Sequence, residues 1–282
     1  MIEFMGKQLK NPLIASSCIA TESVSNVLRL AENGVQGAIL KSCADYERGK
    51  VSGKREFAVD STTGYTYASA PFGSEILTLE ECLDLLHVLR PQTDILLIPS
   101  FTAASLAPDK WIPACKKIEE ASADGIQLDF FYMGNLIGTN GLSESIVTLL
   151  RELGAALNIP VMPKLNINLP KDFIMPLLVE GGVQYVSLLD SVRSPYLRRE
   201  NGVYQISERL DADTTSCFGH WQLPLTIGYT YTAAKYGLKV CAGGGVTCAD
   251  DVQKLLATGA VTVQSATYLT KYLNRGNKLL LI

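Results

Sequence analysis

Two spacings alternate along this chain: short unbroken apolar runs, and stretches in which apolar residues recur every three or four positions. The opening "IEFMGKQLKNPLIAS" reads as a hairpin turning at Gly6 and Lys7, followed by a first strand over 12–16. "SVSNVLRLAENG" is an amphipathic helix stopped by Gly34, and "GAILKS" is the next strand. The alternation continues with "LTLEECLDLLHVL" before "DILLIPS", and with "PDKWIPACKKIEEASADG", begun by Pro108, before "IQLDFF". "SESIVTLLRELGAAL" then precedes "PVMPKLN", and "PKDFIMPLLVEGG" precedes "YVSLLDS". A helix after Gly219, the strand "KVCAGG", the helix "ADDVQKLLATG" and the strand "AVTVQSA" complete the series.

Most of these strands are continuous apolar runs, the pattern of a parallel sheet covered on both faces. Eight strand-then-helix units predict an α/β chain folded as a (β/α)8 TIM barrel, a single domain over 1–282. An open doubly wound sheet is the alternative, but no G-x-G-x-x-G follows the first strand. Two long insertions, 43–77 after the second strand and 192–216 after the sixth, would overhang the carboxyl-end face where barrel active sites sit.

Composition narrows the partners. A net charge of −3 supplies little to neutralise phosphates, so a nucleic-acid or membrane-surface partner is not expected. The seven cysteines include no C-x-x-C pair, which fits reduced thiols in a cytoplasmic protein and disfavours structural zinc or an iron–sulfur cluster. No apolar run approaches the roughly 20 residues that span a bilayer.

Candidate chemistry gathers at strand exits. Gly243, Gly244 and Gly245 follow one strand, and Ser265, Ala266 and Thr267 end the next. In a barrel the corresponding loops form a phosphate grip from backbone N–H groups and a helix N-terminus, so Gly244, Gly245 and Thr267, joined by Gly219, are expected to hold a phosphorylated ligand. Lys41 and Lys164 lie within apolar strands, where an ammonium calls for an anion or a ligand. Ala15, Ser16 and Ser42 share that level, as do Asp129, Asp190 and Ser191, with Tyr132 and Asn135 beyond Asp129. His220, directly after Gly219, is a possible donor to the ligand, whereas His87, mid-helix, reads as packing or solvent-facing.

Taken in order, these segments resemble the dihydroorotate dehydrogenase family of FMN-dependent barrels, which includes the pyrimidine-oxidising domain of dihydropyrimidine dehydrogenase. "NPLIASS" is similar to the family's N-P-[FIL]-x-x-A-S-G, "GAILKSCADYERG" to its G-A-x-x-x-K-[ST] with E-x-R-x-G, and "IPVMPKLN" to its P-[LV]-x-V-K-[LI]. "CAGGGVTCADDVQKLLATGAVTVQSATYL" resembles its closing glycine-run and Q-[IV]-[GC]-[ST] segment. The resemblance implies an FMN cofactor, with Ala15 and Ser16 against the flavin ring and Lys41 and Ser42 at its polar edge. It further implies Lys164 at the ring carbonyls and ribityl chain, and Gly219, Gly244, Gly245 and Thr267 on the phosphate. A homodimer, and in one subclass a separate electron-transfer subunit, come with the same resemblance.

The sequence also departs from the family. Where the family has N-x-[SC]-C-P-[NH], supplying a base, this chain reads "LDFFYMGN", and Asp190-Ser191 replaces an asparagine followed by serine or threonine. Tyr132, with a phenol near pKa ~10, is a better acid than base at neutral pH, which favours reduction of an activated double bond. Lys41, Tyr132 and Asn135 are therefore the candidate catalytic residues, and Asp129, Asn135, Asp190 and Ser191 the candidate substrate contacts. Two other readings stay open: a phosphate-binding lyase or isomerase forming a Schiff base at Lys41 or Lys164, and a non-catalytic relative acting within a complex.

Overall fold

The computed structural model describes residues 1–45, 56–69, 76–130, 140–206 and 215–275. Its centre is one strongly curled sheet of eleven strands in which every pairing is parallel. From Ser100–Thr102 the order runs through Ile126–Asp129, Val161–Lys164, Tyr185–Leu188, Lys239–Ala242, Ala260–Ser265, Leu13–Ala15, Gly37–Ile39 and Leu96–Ile98. Beyond Ser100–Thr102 the sheet continues through Cys43–Ala44 to Leu77–Thr78, so its two ends are Leu77–Thr78 and Leu96–Ile98.

Eight α-helices are described: α1 (Val24–Glu32), α2 (Leu79–Leu89), α3 (Pro108–Glu120), α4 (Leu142–Ala156), α5 (Lys171–Glu180), α6 (Leu223–Lys235), α7 (Ala249–Ala257) and α8 (Thr267–Arg275). Local chemistry sets their ends. At α2, Thr78 Oγ1 accepts the Glu81 N–H at 3.1 Å while a Glu81 oxygen accepts the Thr78 N–H at 2.7 Å, a reciprocal cap. Its buried residues Leu79, Cys82, Leu85, Leu86 and Leu89 recur at helical spacing and face the sheet. None of the described helices is long and apolar enough to cross a membrane.

Continuous apolar strands follow from two cores, one on each side of the sheet. Inside the curl, Ile14, Ile39, Leu96, Ile98, Met162, Tyr185 and Cys241 pack with Phe4, Met5 and Leu9. The last three come from the N-terminal hairpin, Ile2–Phe4 paired with Lys7–Leu9, which seals the amino-end of the curl. Between sheet and helices lies the larger cluster, with Leu13, Ala15, Leu30, Leu97, Leu128 and Val240. Ile14 therefore faces one core while Leu13 and Ala15 face the other, so apolar residues are required at every position.

The two insertions join each other. Thr66–Ser69 from the first pairs antiparallel with Thr215–Phe218 from the second, and Glu56–Val59 and Val192–Arg193 flank them in a four-stranded sheet. Leu197–Glu200 and Val203–Ile206 form a separate hairpin turning at Asn201 and Gly202. The stretch 43–77, expected as an insertion, begins with Cys43–Ala44 and runs into Leu77–Thr78, both strands of the central sheet, and the sequence pattern did not reveal that the two insertions pair.

Candidate functional site

At the carboxyl ends of the central strands, a file of ionised groups runs inward. Asp190, two residues past Tyr185–Leu188, contacts Lys164 Nζ through Oδ2 at 2.6 Å, and Lys164 Nζ stands 3.7 Å from Asp129 Oδ2. Burial opposes the charge on Lys164, and the two carboxylates outweigh it, holding the ammonium above its ordinary range. Asp190 is itself oriented by the Ser191 N–H, which donates to Oδ1 at 2.7 Å. Gln222 Nε2 donates to the Asp190 carbonyl at 3.0 Å, tying this loop to the start of α6.

Below the ion pairs lies a directional chain of hydroxyls. Ser42 Oγ donates to Asp129 Oδ2 at 2.8 Å, so its lone pairs receive Ser17 and Ser100, each at 3.1 Å. Gln127 Nε2 donates to Ser100 Oγ at 2.8 Å and completes the series. A serine relay with each hydroxyl polarised toward Asp129 stabilises that buried carboxylate in its ionised form. Across the curl, Gln264 Nε2 holds Ser187 Oγ at 2.8 Å and the Leu188 carbonyl at 2.9 Å. Ser100, Gln127 and Gln264 were not expected site residues. Their signal was a polar residue inside an apolar strand, as in "IQLD", the same feature that marked Lys164.

Lys41 is buried beyond Gly37–Ile39, as Lys164 is at the end of its strand. Burial pushes the Cys18 thiol pKa up, and both lysines exert an opposing field on it, so the two lysines and Cys18 share one neighbourhood. Ser16 and Ser17 are half-buried beside it, while Ala15 is fully buried in the outer core. Tyr132 and Asn135 lie outside the described residues, as does the "ERG" stretch after Tyr46.

The glycine run proves to be shaped by its protein neighbours. A Cβ on Gly244, at φ +96°, would stand 2.8 Å from the Leu189 carbonyl oxygen. One on Gly245, at φ +86°, would stand 2.5 Å from the Leu223 nitrogen. Close approach of α6 thus demands glycine at both positions, independently of any ligand. Their carbonyls turn to the protein: Thr226 Oγ1 donates to Gly244 at 2.9 Å, and His220 Nδ1 lies 2.9 Å from Gly245 O. Among the described residues, the N–H groups of Gly244 and Gly245 donate to no acceptor, and both glycines are half-buried. His220 therefore joins the glycine turn, as its position after Gly219 suggested, with Asp251 Oδ2 3.5 Å from Nδ1. Burial raises the Asp251 carboxyl, and donation from Thr247 and Cys248 more than reverses this, so it titrates below the usual carboxylate range. Thr267 is exposed at the start of α8, and Gly219 lies directly before His220.

No protein-family model matches the chain, and no curated protein matches it.

Proposed function

We propose that this chain is an FMN-dependent oxidoreductase of the dihydroorotate dehydrogenase type, acting on a carbon–carbon single or double bond, with its curled sheet closed as a (β/α)8 barrel. Support for closure comes from two neighbouring stretches of chain that pair at opposite ends of the strand order: Gly37–Ile39 pairs with Leu96–Ile98 at one end, and Cys43–Ala44 pairs with Ser100–Thr102 near the other. The observation that carries the function is a pairing of chemistries at one end of the sheet. Two buried lysines stand at strand exits, and a glycine turn nearby offers two adjacent N–H groups that donate to nothing in the described protein. That donor set suits a ligand with a phosphate at one end and an electron-rich ring at the other.

In this reading Gly244, Gly245, Gly219 and Thr267 hold the phosphate, and Lys164 and Ser16 orient the ribityl chain and ring. Lys41 and Ser42 lie at the ring's polar edge. Bound FMN would accept or donate the hydride. Lys41 contributes positive charge where reduction adds electron density, an interaction stronger in a buried site than in water. Tyr132 holds a phenolic proton at neutral pH and delivers it to the substrate carbon, and Asn135 and Ser191 orient the substrate. A homodimer and a separate electron-transfer subunit remain part of the proposal.

The Schiff-base reading loses ground on Lys164. A lysine held protonated by two carboxylates has no lone pair for attack on a carbonyl. The deciding experiment is an absorbance spectrum from roughly 300 to 550 nm, with mass analysis of whatever is released on denaturation. Flavin bands and released FMN are expected. Protein that is colourless and takes up no added FMN would overturn the proposal. Bound flavin that is photoreduced but turns over no alkene or dihydropyrimidine would point to the non-catalytic relative.

A further inference from the structure

The order of charges with depth says what kind of ligand end this site accepts. Exposure of the side chains rises from 1% at Asp129 to 10% at Lys164 and 19% at Asp190. A ligand entering from the carboxyl-end face therefore meets a carboxylate first, and the cation behind it is already paired on both sides. These three groups sum to −1, and Lys41 brings the total to zero, so the quartet has no uncompensated positive charge to offer an anion. Among the described residues Asp190 Oδ1 accepts only from the adjacent serine, at 2.7 Å from its N–H and 3.4 Å from its hydroxyl, leaving lone-pair capacity on a carboxylate that solvent reaches.

From this geometry we infer that Asp190 is a specificity-determining residue, selecting a ligand that presents N–H donors, as an amide, amidine or amine edge does, over one that presents a carboxylate. The inference rests on the reading of these strand ends as the substrate site. An N–H edge completes the acceptor capacity of Asp190 and extends the alternation of charge outward. A carboxylate in the same place faces like charge across a partly desolvated gap, and the ammonium behind it, Lys164, is already held between two carboxylates.

Three probes of one shape and different charge test this: benzamidine, benzamide and benzoate, titrated calorimetrically into the purified protein as it is isolated. Wild-type protein should bind benzamidine and benzamide at least tenfold more tightly than benzoate. Asp190→Asn removes the outermost charge and keeps the side chain's shape, and it should bring benzoate to within about threefold of benzamide. Melting curves of wild type and variant establish that both are folded. Should D190N fail to fold, the wild-type ladder alone decides. Benzoate binding as tightly as benzamide, no binding by any probe, or a folded D190N with an unchanged ladder would each overturn the inference. The flavin reading fails separately: colourless protein with the expected ladder refutes FMN and leaves the role of Asp190 intact.

Discussion

Replacing Lys164 with methionine keeps the side chain's length and removes the charge between Asp129 and Asp190. The consequence is unequal for the two carboxylates. Asp190 is 19% exposed and regains water, so its loss is discounted for solvent screening, whereas Asp129, at 1%, stays buried and loses the Lys164 ammonium. Breaking a buried pair from one side typically costs about 3–5 kcal/mol, because the remaining charge is uncompensated. The Ser42 hydroxyl still donates to Asp129, which places the expected loss toward the lower end, about 3 kcal/mol. At about 2–4 °C per kcal/mol for chains near this size, the melting temperature should fall by roughly 6–12 °C. The assay is thermal unfolding of wild type, Lys164→Met and the double variant Lys164→Met/Asp129→Asn. The double variant removes both charges and should recover about half or more of the loss. The sign of the pH dependence is also determined. Lys164 titrates above its ordinary value in the folded chain, so its stabilisation is full below the unfolded pKa of ~10.4 and disappears only as pH rises through the folded one. The gap between wild type and Lys164→Met should stay level from about pH 7 to 9.5. A double variant as unstable as the single, or a gap that closes within that range, would refute the reasoning.

Gly245→Ala places a Cβ 2.5 Å from the Leu223 nitrogen at φ +86°, whereas Gly202→Ala, at φ +82°, meets nothing within 4 Å. Backbone strain alone costs on the order of 1 kcal/mol, so G202A should lose about that, and G245A at least 2 kcal/mol more in urea unfolding. Asp251→Ala removes the acceptor for Thr247 N and Cys248 N at the start of α7 and should cost about 1–2 kcal/mol. Asp251 titrates below its ordinary value, so its contribution is present above the unfolded pKa of ~3.9 and is lost as pH falls through the lower folded value; acid unfolding followed by circular dichroism should lose part of its steepness in the variant. Under the flavin proposal, Lys41→Met should lower the rate of substrate-dependent flavin reduction about 100-fold or more in stopped-flow absorbance, and an unchanged rate would remove Lys41 from the chemistry.

Local physics made much of this chain legible in advance. Strand and helix alternation was readable because most central strands are short, largely apolar runs, and each helix carries a stripe bounded by residues such as Pro108, Gly34 and the Thr78–Glu81 pair. Lys164, Asp129 and Asp190 stood out because a charged residue in or beside an apolar strand requires compensation from somewhere. What the one-dimensional pattern did not contain was the identity of the compensating partner. Lys164 lies 35 residues from Asp129 and 26 from Asp190, and only curling of the sheet brings three strand ends together around one ammonium. The same limit hid the Gln127–Ser100–Ser42 relay and the pairing of Thr66–Ser69 with Thr215–Phe218, since neither has a local signature. It also concealed why Gly244 and Gly245 are glycine. A glycine run tells of close approach, and the fold decided that what approaches is Leu189 and α6. Composition and periodicity act between neighbours in the chain, while charge balance and backbone proximity act between neighbours in space, so the first could be read from the residues and the second required the folded sheet.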